Sequence, residues 1–153
     1  MWDKVPILIV NGDPNDEPFK GETDFLEIAL QPFRTGGARG MEDLLETRVV
    51  KAAEFSTKSI GEARVVLMAN VSHLKLGQLD DLQTYVKDGG GLLIFGGDKI
   101  DSKWYNEQLL PYGLLPTRLG KVEDKQKDPE PFTRVVVKPV SYTHLTLPTK
   151  RIV

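Results

Sequence analysis

Three short runs of nearly unbroken apolar residues constrain this chain most: "VPILIVNGD" at 5–13, "EARVVLMANV" at 62–71 and "LLIF" at 92–95. Each is rich in branched side chains, and the first and third run straight into a glycine- and aspartate-containing turn. A strand with one wet face alternates apolar and polar residues, so a continuous run of this length marks a strand covered on both faces. Helical patterns fall between the runs. Strands alternating with helices predict an α/β fold: a three-layer, mostly parallel sheet flanked by helices, of flavodoxin-like type.

The intervening segments fill in the order. "TDFLEIALQPF" (23–33) predicts a helix capped by Thr23 or Asp24, with Phe25, Leu26, Ala29, Leu30 and Phe33 facing inward. Residues 47–55 predict a second strand. Leu79, Leu82 and Val86 repeat at helical spacing, with Leu76 one turn earlier, and Gly89 to Gly91 stop that helix by accepting a left-handed cap. Residues 103–113 predict a short helix ended by Pro111, and "FTRVVVKP" (132–139) a last strand. After it the character changes abruptly. One choice of codons for "VSYTHLTLPT" matches a tagmentation adapter, so residues 140–153 are expected to be a non-native tail and 1–139 one domain truncated at its C-terminus.

Composition narrows the partners. A net charge of −2 and a pI near 5.7 leave no basic footprint for nucleic acid. The absence of cysteine removes disulfides, thiolate metal sites and a cysteine nucleophile. No apolar run approaches the roughly 20 residues of a membrane helix, so this segment itself is expected to be soluble and not to span a membrane.

The glycines in "YVKDGGGLLIFGGDKID" (85–101) pose the functional question. A dinucleotide fingerprint needs its glycines between a strand and the following helix, whereas Gly89, Gly90 and Gly91 precede the strand. No Walker sequence is present either. Gly96 and Gly97 do follow the strand, at the carboxyl edge where open α/β sheets place their ligands. The same edge would gather Asp13, Asn70 and Asp98 as a candidate binding surface. Asp13, Asp16 and Asp98 could alternatively hold Mg²⁺ or Ca²⁺ and activate water for hydrolysis; the plainer account makes these residues helix caps and turn formers. A nucleotide or sugar pocket without chemistry is a third possibility. His73 is a possible general base without an evident serine or cysteine partner, adjacent Ser72 notwithstanding. Lys99, Lys103 and Trp104 read more simply as a solvated helix start than as an anion site.

The phrases "ILIVNGDP…PFKGETDFLEIAL" and "ARVVLMANVSHL…QLDDLQTYVKDGGGLLIFGGD" resemble the class I glutamine amidotransferase-like domain over most of residues 5–120. The version they resemble is found in bacterial BatA-type membrane proteins beside a von Willebrand factor A domain. Working members of that superfamily carry a cysteine nucleophile on the sharp turn after the strand equivalent to "LLIF". Here that turn is Gly96-Gly97-Asp98, with no cysteine, serine or threonine. The resemblance therefore implies a non-catalytic binding or scaffolding domain, not an enzyme, with no cofactor. Its partners would be other domains of a larger membrane-anchored protein or subunits of a membrane complex. The family's His-Glu pair normally lies further along the chain.

Overall fold

The structure is a computed structural model that describes residues 4–15, 17, 19–34 and 43–120, all within the compact unit Met1–Gly120. The strand expected at 132–139, the tail at 140–153 and Asp16 lie outside the described residues.

Four strands form: β1 (Val5–Asn11), β2 (Leu45–Lys51), β3 (Val65–Ala69) and β4 (Gly91–Phe95). They make one all-parallel sheet in the order β2-β1-β3-β4. The register aligns Leu8 with Val66 and Leu92, and Val10 with Met68 and Ile94, so each set shares one face. Against that face pack Phe55, Ile60, Leu79, Leu82, Tyr105 and Leu109. These side chains come from α2 (Thr57–Ile60), α3 (Leu76–Lys87), a last helix that begins as α4 (Ser102–Trp104) and continues as π-helical turns over Tyr105–Leu109, and the turn before α2. On the opposite face Ile7, Ile9 and Leu67 meet Leu26 and Leu30 of α1 (Glu22–Leu30). Helices on both faces give the expected three layers.

Several local expectations are corrected. α1 begins after Gly21 rather than at Thr23 or Asp24. Thr23 is buried inside its first turn, where its hydroxyl accepts from Asn11 Nδ2 at 2.9 Å, and Asp24 instead takes the Gly21 N–H at 3.2 Å. That anchor turns Leu26 and Leu30 inward and leaves Phe25 and Ala29 exposed, because each precedes an inward leucine by one residue and one residue turns the helix by about 100°. β2 starts at Leu45 and stops at Lys51, and a 3₁₀ turn (Ala52–Glu54) follows. The four-residue α2 was not foreseen; at its start Ser56 N–H donates to Ser59 Oγ at 2.7 Å, and the Ser59 N–H donates to the Ser56 carbonyl at 2.9 Å. On α3, Leu76 is exposed and Gln78 takes an inward position. Its Nε2 donates to the carbonyls of Ala52 and Phe55 at 2.9 and 2.7 Å, which makes burial of the amide tolerable. Gly89 does adopt a left-handed φ of +95°, as a helix stop requires.

The largest departure is β4. It lies at the edge of the described sheet, and while Leu92 and Ile94 pack on the first core, Leu93 and Phe95 are 52% and 47% exposed on the other face. Among the described residues, β1 and β3 are covered on both faces and β4 on one. An apolar run cannot distinguish these cases, because it records what the strand carries and not what covers it.

Candidate functional site

The carboxyl edge of the sheet is assembled around Asn70, the residue directly after β3. Gly12 continues the β1–β3 pairing, its N–H donating to the Ala69 carbonyl at 2.9 Å. The two backbones then approach so closely that a Cβ on Gly12 would stand 2.1 Å from the Asn70 carbonyl oxygen. Asn70 is 1% exposed and adopts φ +50°, a left-handed conformation that asparagine tolerates better than most residues. From there its N–H reaches the Phe95 carbonyl at 3.0 Å and ties β3 to the end of β4.

The Asn70 amide then organises the turn after β4. Its Nδ2 donates to Asp98 Oδ1 at 2.8 Å, and its Oδ1 accepts the Lys99 N–H at 2.9 Å. Gly97 lies flat against this amide, where a Cβ would come within 2.4 Å of Asn70 Cγ. Gly96 is under less constraint, with its nearest neighbour Ile100 Cδ1 at 3.3 Å. Asp98 itself is exposed, with Lys99 Nζ 3.4 Å from its other oxygen. The Asn70 hydrogen bond, with Lys99 adding to it, holds the Asp98 carboxyl below the usual carboxylate range.

Asn70, Gly97 and Asp98 are thus brought into one cluster, with Gly96 beside it. Asp13 is exposed in the loop after β1, its N–H bonded to Asn11 Oδ1 at 3.0 Å. Among the described residues no group of three or more His, Cys, Asp or Glu side chains could hold a metal ion.

A second constellation sits beside the first and was missed in the sequence. His73 Nε2 lies 3.2 Å from Asp101 Oδ2, and its ring meets Trp104 edge-on with centroids 5.2 Å apart. Asp101 is also the cap of α4, its Oδ1 accepting the N–H groups of Lys103 and Trp104 at 3.0 and 3.2 Å. The Trp104 N–H, then His73 and the Lys103 N–H, lower the Asp101 pKa. The sequence signal for the cap was present, an aspartate just before a helix start, but nothing local links it to a histidine 28 residues earlier. Among the described residues His73 hydrogen-bonds to Asp101 and to no serine or threonine hydroxyl. Beneath it, the buried Tyr105 hydroxyl donates to the Val71 carbonyl at 2.6 Å, and burial pushes its pKa up to about 12.

Lys99 and Lys103 both stand near carboxylates, Asp98 at 3.4 Å and Glu107 at 4.0 Å, as a solvated helix start would have them. A cleft of about 710 Å³ lies at the opposite edge, between Lys4, Glu46, Arg64, Tyr85 and Gly90, with charges of both signs in its wall. No described helix is long and apolar enough to cross a membrane. Comparison of the chain with known proteins finds no matching family model, no matching curated protein and no matching solved structure.

Proposed function

We propose that this chain is a non-catalytic, amidotransferase-like domain that binds or scaffolds within a larger, membrane-anchored bacterial protein. Its working surface is the carboxyl edge around Asp13, Asn70, Gly96, Gly97 and Asp98. The observation that carries the proposal is the state of the turn after β4. A catalytic elbow needs an exposed nucleophile poised beside oxyanion donors. Here the chain has no cysteine, and the one reactive group on the turn, the Asp98 carboxylate, accepts from Asn70 and sits beside Lys99. Interactions that lower a carboxylate's pKa also stabilise its electron pairs, so Asp98 is a poorer nucleophile than an unpartnered aspartate.

Two measurements test the two halves. Incubated with glutamine, the purified chain is expected to release no ammonia above buffer, and Asp98→Ala to behave identically; release that disappears in Asp98→Ala would make the domain an enzyme. Source DNA read beyond the Pro139 codon is expected to encode an apolar span of roughly 20 residues. A soluble ending that carries a His-Glu pair would count against the anchored scaffold.

A further inference from the structure

Of the four asparagines in the chain, only Asn11 is followed by a glycine. In that dipeptide the glycine nitrogen can attack Cγ of the asparagine side chain, because no Cβ obstructs closure of the five-membered ring. The fold admits no other residue at position 12. A Cβ there would stand 2.1 Å from the Asn70 carbonyl oxygen, so the close approach of the two backbones imposes on Asn11 the neighbour that leaves it most reactive.

The same structure holds both reacting groups apart. Gly12 N–H donates to the Ala69 carbonyl at 2.9 Å, which aims the nitrogen at β3 and away from Cγ. The half-buried Asn11 amide is held at both ends: Nδ2 donates to Thr23 Oγ1 at 2.9 Å, and Oδ1 accepts the Asp13 N–H at 3.0 Å. Thr23 belongs to the first turn of α1, a helix that meets the sheet through the half-buried Leu26 and Leu30. Lifting such a peripheral helix costs less than unfolding the whole domain.

We propose that Asn11 is a latent deamidation site, closed by the fold and opened when α1 lifts from the sheet. Once released, the Gly12 nitrogen bonds to Asn11 Cγ, the Cγ–Nδ2 bond breaks, and ammonia leaves with the proton that the Gly12 nitrogen gives up. Water then opens the succinimide at one of its two carbonyls. Addition at Cγ leaves aspartate on an unchanged backbone; addition at the main-chain carbonyl leaves isoaspartate, with the backbone routed through Cβ. Isoaspartate lengthens the backbone by one carbon just before Gly12, where Asn70 leaves no slack, so the native register cannot re-form. Opening of α1 is thereby recorded as a permanent mark beside Asp13 and the carboxyl edge.

Peptide mapping by mass spectrometry, after timed incubation in mildly alkaline buffer, tests this. The folded chain is expected to deamidate at Asn11 at least about tenfold more slowly than the same chain in guanidinium, since the reaction must wait for a minor open state. Thr23→Val keeps the shape and removes the acceptor, and should speed the folded-state reaction several-fold, as loss of one restraining hydrogen bond requires. Leu26→Ala, which loosens α1 through its packing, should speed it as well. Leu79→Ala weakens the fold from the opposite face of the sheet without touching these restraints, and should speed it less than either. Equal rates in the folded and unfolded chains overturn the proposal, as does an unfolded chain that does not deamidate at Asn11. Leu79→Ala matching both α1 variants overturns it too, because global unfolding would then be the only route to the site.

Discussion

Asn70 holds the carboxyl edge together from a backbone conformation that few side chains accept. It links β3 to β4 through its N–H and to the following turn through its amide, while two glycines make room for it. Gly97→Ala is expected to destabilise the fold by about 1–3 kcal/mol, the usual cost of overpacking. Gly12→Ala should cost more, because its new methyl meets the Asn70 backbone, which cannot rotate aside as a side chain can. Urea denaturation of both variants gives the ranking, and the reverse order would show that the Asn70 amide is the more rigid obstacle. Tyr105 contributes a pH dependence of its own. Its folded pKa of about 12 lies above the ordinary value of 10, so its contribution is complete below pH 10 and is lost as pH rises toward 12. Tyr105→Phe is expected to flatten that alkaline decline, measured as stability against pH, while lowering stability at neutral pH by about 1–3 kcal/mol through the orphaned Val71 carbonyl.

At the scale of elements, each helix is fixed by which of its residues finds a partner across a gap. α3 buries Leu79, Leu82 and Gln78 and leaves Leu76 in solvent, although all three leucines repeat at helical spacing. Leu79→Ala is accordingly expected to cost about 2–5 kcal/mol, and Leu76→Ala to stay within about 0.5 kcal/mol of the parent. Thermal unfolding of the two variants checks this, and comparable losses would move the inward face by one turn. Here the limits of the sequence have a physical cause. The helical period of α3 and its glycine stop were legible, because both are local. The phase of α1 was not, because the Asn11–Thr23 hydrogen bond that sets it spans two elements. The short α2 escaped because four residues are too few for any period to show. At the site, Asn70, Gly97 and Asp98 were legible as residues following strands, whereas the His73–Asp101 pair was hidden by its separation.

For the whole molecule, the order β2-β1-β3-β4 decides what is interior. Among the described residues β1 and β3 are flanked by strands and covered on both faces, while β4 has one neighbour and one covered face. The amides of Leu92 and Ile94 are therefore expected to exchange with solvent faster than those of β1 in dilute solution. Leu93, whose N–H faces β3, is expected to exchange more slowly than either. Hydrogen exchange reads this directly; protection at Leu92 and Ile94 equal to that of β1 would show that the outer edge of β4 is covered in the whole chain.

What the sequence by itself determined has a short range: the four described strands, the helical period of α3, the left-handed stop at Gly89, and the lack of any thiol to serve as a nucleophile. These follow from backbone stereochemistry and from apolar spacing within one element. Only the tertiary structure decided that β4 is the edge of the described sheet, that Asn70 meets Asp98 and that His73 meets Asp101. Those outcomes depend on which elements become neighbours, and pairing between distant segments leaves no periodic trace along a single chain.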